Sequence, residues 1–416
     1  MNNVIRKTNI RYCGIQGLYW MLYCACYGYV TYYLMEKGFS SSTVGVISAV
    51  FGIVSTAFQP VAGQISDKLK KGWKLPLMCL LAAAILADVI MIFIHVKPVQ
   101  GIFFGIMMAA TGIMMPLINA ICFTCTEDGK GIDFGVARGI GSLGYAVISV
   151  IIGYVCRLSG AVTIPVFSAI LSLCLFALII LMPFYMTGTD ASDTGSTANS
   201  SITTDPADRN RAGSGIVGLL RECPGYIIMW SAGLLMMTFH CMTNTYMLQI
   251  VGRAGGSSDA MGITLGIAAV MELPVMFAFS WISRRLSPGK LFLLAGAAFT
   301  IKGILYLAAG SVWVIWISQL LQMLSFAVYV NASVLYASIS VPAKYLGLSQ
   351  SLMSITISAG TVIGSLAGGF LIDSFGVNMM LIMGVVTAVC GTILSVISVY
   401  SERKNNTQSA WRKSVS

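Results

Sequence analysis

Apolar runs of twenty or more residues follow one another almost end to end, parted by short polar or Gly/Pro-marked breaks. A helix that crosses the hydrocarbon layer needs about 20 such residues. The chain is 57% hydrophobic and 10% charged, against roughly 25% charged in an ordinary globular protein. Its solvent is therefore lipid. The runs are continuous rather than alternating apolar with polar, which excludes a membrane barrel and requires helices that satisfy their own backbone groups.

Twelve spans are predicted: residues 10–34, 43–66, 74–96, 99–126, 134–157, 161–186, 224–250, 259–283, 289–309, 312–339, 345–373 and 376–400. Positive charge collects on cytoplasmic loops. With the amino terminus inside, of the 25 Lys and Arg only Lys37, Lys97, Arg157 and Arg253 fall on the outer side, and Lys302 lies within a helix. Both termini are expected in the cytoplasm, in a multi-pass protein of the inner or plasma membrane. The net charge of +10 then reflects topology and anionic lipid, not nucleic-acid binding. The first span is too long for a cleaved signal peptide and lacks a small-residue cleavage site. The eleven Cys show no disulfide framework, and Cys122 with Cys125 is read as packing.

Residues 187–222 turn abruptly polar, beginning TGTDASDTGSTANSSITTDPADRNRAG, and form a predicted cytoplasmic linker. It separates a bundle at 1–186 from a bundle at 223–400, with a tail at 401–416. The halves echo each other. Ile65-Ser-Asp-Lys-Leu-Lys-Lys-Gly72 is matched by Ile282-Ser-Arg-Arg-Leu-Ser-Pro-Gly289, 217 residues on. Gly153-Tyr-Val-Cys-Arg-Leu-Ser-Gly160 is matched by Gly369-Phe-Leu-Ile-Asp-Ser-Phe-Gly376, 216 residues on. Two echoes at nearly one offset, both at helix ends of equivalent rank, point to a duplicated six-helix unit, an architecture of transporters.

Ionisable side chains at membrane depth are costly and are functional candidates by default. Asp88, Glu272 and Lys302 stand within predicted helices. Glu272, in Met271-Glu-Leu-Pro274, is the first choice for a coupling acid, because a buried carboxyl can change protonation as its surroundings alternate. The competing reading is a static ion pair with Lys302 on the next helix. Asp88 is placed toward the outer end of its helix, where hydration is expected. Tyr19, Tyr23 and Tyr27 recur every four residues as an aromatic stripe, and His240, Asn244, Gln319, Gln322, Tyr329 and Asn331 offer polar groups in the seventh and tenth helices. Each of these has interhelical hydrogen bonding as its alternative role.

Phe58-Gln-Pro-Val-Ala-Gly-Gln-Ile-Ser-Asp-Lys-Leu69 resembles the signature between helices 2 and 3 of the major facilitator superfamily, met by Gly63, Asp67, Lys68, Lys70 and Lys71. Pro116-Leu-Ile-Asn-Ala120, Asp133-Phe-Gly-Val-Ala-Arg-Gly-Ile-Gly-Ser-Leu-Gly-Tyr145 and Leu291-Phe-Leu-Leu-Ala-Gly296 with Lys302 resemble its lactose-permease-like, oligosaccharide:proton symporter branch. The resemblance implies an all-α membrane protein of twelve transmembrane helices in two pseudo-symmetric six-helix bundles. It implies a sugar-binding Arg at Arg138 with an aromatic at Tyr145, and a gate at Gly63, Asp67, Lys68 and Lys71. The branch's carboxylate partner of that Arg matches Asn119, and its helix 10 Lys, His and Glu match Gln319, Gln322 and Ser325. These departures move the expected coupling acid away from helix 10, to Glu272.

There is no phosphate loop, no H-E-x-x-H and just two His, so neither an enzyme nor an ATP-driven pump is expected, and no cofactor. The reading is a monomeric, gradient-driven carrier, foremost a proton-coupled symporter of a sugar, glycoside or similar small polar solute. An efflux antiporter of amphipathic compounds, uptake of an aromatic or organic acid, and a membrane receptor or scaffold stay open as alternatives.

Overall fold

The computed structural model describes residues 3–69, 72–124, 133–183, 215, 217–219 and 221–404. Among them there is no strand. The chain forms α1 (Asn3–Tyr23, continued by a π-helical turn Cys24–Gly28 and Val30–Glu36), α2 (Ser41–Lys68), α3 (Lys74–Phe93), α4 (Lys97–Thr124), α5 (Phe134–Ser159) and α6 (Thr163–Leu181). After the linker come α7 (Pro224–Thr245 with Met247–Arg253), α8 (Ser258–Arg285), α9 (Pro288–Ala308), α10 (Val312–Gln319, a 3-10 turn Leu320–Gln322, then Phe326–Ile339), α11 (Leu346–Phe375) and α12 (Val377–Lys404). Among the described residues, eleven helices, α2 to α12, are long and apolar enough to span a membrane. Large apolar side chains such as Leu158 (69% exposed), Phe277 (68%) and Trp313 (68%) point outward, a cost in water that lipid removes.

Capping sets the helix starts. Ser40 accepts from the Thr43 N–H at the head of α2 (3.3 Å), and Asp133 accepts from the Val136 N–H at the head of α5 (3.0 Å), each satisfying an orphan donor. By their contacts the residues form two units: Met1–Ile202 with Ser257–Val270, and Thr203–Gly256 with Met271–Ser416. The first unit therefore includes the first turns of α8. There Ser258 donates to the Gly153 carbonyl (3.0 Å) and Arg157 pairs with Asp259 (2.8 Å). The linker expected over 187–222 lies largely outside the described residues.

Within each unit the same architecture recurs at the offset legible in the sequence. Helix α1 breaks at Tyr29 (φ −112°, ψ 11°) and α7 breaks at Tyr246 (φ −101°, ψ 28°). The Tyr29 hydroxyl donates to the Ser149 carbonyl in α5 (2.5 Å), and the Tyr246 hydroxyl to the Ser365 carbonyl in α11 (2.6 Å). Helices α5 and α11 each end on a glycine with positive φ, Gly160 at 72° and Gly376 at 84°. That conformation suits glycine and closes the last turn. The duplication is thus a repeat of tied helix pairs, each pinned by a buried phenol at a backbone break.

A buried hydrogen bond between helices in lipid contributes on the order of 0.6 kcal/mol, rarely above about 1.7. Tyr29→Phe and Tyr246→Phe are expected to lower the melting temperature of the detergent-purified protein by similar small amounts and, being in separate units, nearly additively. Thermal unfolding of the two single variants and the double variant checks this.

Candidate functional site

In the first unit the face of α1 marked by Tyr12, Gln16 and Trp20, four residues apart, gathers one polar cluster. The Gln16 side chain is fully buried. Its amide Nε2 donates to the Tyr12 hydroxyl (2.8 Å) and to Asn119 Oδ1 (3.2 Å), and its Oε1 accepts from Trp20 Nε1 (3.1 Å). Gly141 in α5 makes room for the indole: a Cβ there would stand 2.4 Å from Trp20 Cδ1. The Arg138 guanidinium lies 3.8 Å above the Trp20 ring and donates to the Ser142 hydroxyl (2.8 Å). A cation on an indole face is attracted by the ring quadrupole, which orients the arginine.

The aromatic wall continues from there. Trp20 and Tyr23 sit 5.2 Å apart, and Tyr23 and Tyr27 stack at 4.4 Å with an 11° tilt. The π-helical turn Cys24–Gly28 lies at this stack, and such turns are common at functional sites. The Tyr27 hydroxyl is held by the Met108 carbonyl (3.0 Å). Tyr145 reaches the same turn, its hydroxyl 3.2 Å from where a Gly28 Cβ would stand. Trp20, Tyr23, Tyr27, Asn119, Arg138 and Tyr145 are all partly exposed. Together they make a half-open aromatic surface with amide and guanidinium donors, suited to a ring-shaped polar solute.

In the second unit three side chains named from sequence form a chain of contacts. Lys302 Nζ donates to Gln322 Oε1 (2.5 Å), and Gln322 Nε2 donates to Glu272 Oε1 (2.9 Å). Lys302 and Gln322 are each 4% exposed, and Glu272 is half-buried. The Gln322 amide stands between Glu272 and Lys302, its NH₂ on the carboxylate and its oxygen on the amine. Helix α10 has no proline at this point, yet it passes from α to a 3-10 turn at Leu320–Gln322, and Ser325 sits at φ −92°, ψ −90°. The irregular backbone lies where Gln322 reaches the two ions. His240 stacks on Phe326 beyond the break (4.3 Å, 16°).

Other candidates hold hydrogen bonds within the second unit. Gln319 donates to the Tyr306 hydroxyl (2.6 Å), Tyr329 bonds Thr356 (2.7 Å), and Asn331 donates to the Ala327 carbonyl of its own helix (2.8 Å). Asn244 is exposed. Asp88 is fully buried, contrary to the expectation of a solvated position. It is 0% exposed, one oxygen accepting from Ser168 (2.7 Å) and the other, Oδ1, buried without a hydrogen-bond partner. Of the expected gate, Gly63 and Lys68 lie in the last turns of α2, Lys68 exposed, whereas Lys71 and the Asp67 side chain fall outside the described residues. Sequence reasoning missed Gln16 and Trp20. Their signal was the four-residue spacing of Tyr12, Gln16 and Trp20, one helical step around from the tyrosine stripe.

A family model described as the MFS_1 like family matches residues 12–383. The maltose permease of Geobacillus stearothermophilus is 23% identical over 385 residues, covering 91% of this chain and 91% of the permease. The raffinose permease of Escherichia coli is 22% identical over 324 residues, covering 73% and 72%. The lysosomal dipeptide transporter MFSD1 of Homo sapiens is 27% identical over 195 residues, covering 43% and 40%. Among solved structures, a mutant of the nucleoside transporter NupG aligns with a TM-score of 0.77 at 14% identity, covering 94% of this chain and 99% of that one. A mutant of the peptide transporter POT in complex with alafosfalin aligns with a TM-score of 0.70 at 13% identity, covering 96% and 95%. At these identities the structures speak to fold, not substrate.

Removing the bridging amide leaves its two charged neighbours without those bonds. Hydrogen bonds to charged groups are worth about 1.5–3 kcal/mol each. Gln322→Leu is therefore expected to destabilise the second unit by roughly 3 kcal/mol, read as a lowered melting temperature, while Gln322→Glu, which can still accept from Lys302, recovers part of the loss.

Proposed function

The chain belongs to the MFS_1 like family, a multi-pass transporter and not an enzyme, and on that premise we propose that it carries a sugar, glycoside or similarly sized polar solute together with a proton by alternating access. The observation that carries this reading is the first-unit surface, where Arg138 lies on the half-open Trp20 ring next to the stacked Tyr23 and Tyr27. Indole and phenol faces suit the apolar faces of a sugar ring, and the guanidinium and amide donors suit its oxygens. The full-length likeness to a maltose permease supports the same class of solute.

Glu272 is the proposed coupling acid. It is partly exposed, and it is tied through Gln322 to a buried Lys302. A proton arriving at the carboxyl abolishes its charge and changes what the amide and the ammonium face, so the network has distinct arrangements for the protonated and ionised acid. The proposed setting is the cell membrane, with both termini in the cytoplasm, as the charge distribution favours.

Proteoliposomes offered a panel of sugars, glycosides and organic acids, with and without an inward proton gradient, test the reading. At least one sugar or glycoside is expected to accumulate with the gradient and not without it; accumulation of none contradicts the reading. With that solute, Glu272→Gln is expected to abolish gradient-driven accumulation while retaining exchange. Arg138→Lys, which loses the planar fork, is expected to weaken apparent affinity about tenfold or more, a loss of roughly 1.4 kcal/mol, with normal membrane insertion.

A further inference from the structure

We propose that the turn between α8 and α9 binds the phosphate of an anionic phospholipid in the leaflet facing the cytoplasm, through Arg284 and Arg285, with Trp281 as its contact in the acyl region. The site concerns the protein's lipid and does not depend on which solute it carries. An asymmetry between the halves marks it. At the offset of 217 residues, Asp67 and Lys68 of the first half are matched by Arg284 and Arg285. The acid of the first turn is replaced by a second cation. No Asp or Glu occurs between Glu272 and Asp373, so the sequence around this turn supplies no counter-charge. Arg284, Arg285 and Lys290 are all exposed. Neither of the two ion pairs among the described residues, Arg157–Asp259 and Lys344–Glu222, involves them.

The surface beside these cations is built for lipid. Phe277 (68% exposed), Trp281 (59%) and Arg285 follow at four-residue spacing on one outward face of α8. Arg284 and Arg285 stand in the last turn of that helix, and the Arg285 guanidinium lies 4.0 Å above the Trp281 ring. An exposed phenylalanine one turn deeper suits acyl chains, and an exposed indole suits the headgroup level. The cation beyond it then stands at the depth of lipid phosphates. Stacking occupies the flat face of the guanidinium and leaves its N–H edge, whose fork matches two oxygens of a phosphate. A phosphatidylcholine headgroup would bring its own ammonium to this cluster, whereas phosphatidylglycerol brings negative charge alone. A soluble phosphate would make no use of the Phe277 and Trp281 stripe.

The test uses the purified full-length protein in neutral detergent, with phosphatidylglycerol and phosphatidylcholine of identical brominated acyl chains as probes. Bromine quenches nearby indole emission, and the share of emission lost in Trp281→Phe isolates the signal of Trp281. Phosphatidylglycerol is expected to half-quench that share at a mole fraction lower by about fivefold or more than phosphatidylcholine needs. Arg284→Gln with Arg285→Gln is expected to erase the preference. Arg284→Lys with Arg285→Lys keeps the charge and the topology but loses the planar forks, and is expected to lower the preference by about twofold or more. Equal quenching of the wild type by both lipids would overturn the proposal, as would an undiminished preference in either double variant. Relief of the quenching by millimolar sn-glycerol 3-phosphate would overturn it too, by making this a site for a soluble phosphate. If the glutamine pair fails to fold, the lysine pair carries the same decision, because it separates a shaped phosphate site from bulk positive charge.

Discussion

A polar group taken into the bilayer is costly unless it finds a partner within the chain, and the structure is organised by that demand, with Asp88 Oδ1 an exception. Helices meet it for most of the backbone. Where helices break, side chains have to finish the work. The two phenols at the breaks of α1 and α7 illustrate how: Tyr29 and Tyr246 each reach across to a carbonyl of the neighbouring helix, at Ser149 and Ser365. These ties let a helix depart from regular geometry where a solute carrier needs irregular, cavity-lining backbone, while the helix pair stays joined.

The same demand shapes both candidate clusters, and in each a glutamine stands at the centre. Gln16 joins Tyr12, Trp20 and Asn119; Gln322 joins Lys302 and Glu272. An amide has one accepting and one donating end, so a partner with a single possible role sets the direction of everything beyond it. The indole N–H does this for Gln16, and the ammonium does it for Gln322. The resemblance to the permease branch implies a carboxylate at the position of Asn119 and a histidine at that of Gln322.

Much of the fold was legible because lipid imposes a simple rule on length and hydropathy. The predicted spans meet the observed helices within a few residues at most ends, for example 312–339 against Val312–Ile339. The repeat was legible at its polar ends, where loop chemistry is constrained, and the structure extends the offset inward to Tyr29 and Tyr246. The site was legible in part. Arg138, Tyr145 and Asn119 came from resemblance, and Glu272 with Lys302 from the cost of burying charge. Gln16 and Trp20 did not stand out, because a glutamine in an apolar helix looks the same whether it organises a site or satisfies a neighbour. The π-helical turn that accompanies the Tyr23–Tyr27 stack leaves no mark in a four-residue spacing. Nor does spacing reveal that Asp88 is fully buried.

The most direct measurement follows the proton itself. Proteoliposomes in weakly buffered medium, with no imposed pH difference, receive an outside pulse of a solute that they take up, and an electrode records external pH. Coupled entry predicts alkalinisation of the medium in step with uptake, lost in Glu272→Gln even where solute exchange persists. Solute entry at the same rate with unchanged external pH would contradict coupling and leave a facilitator.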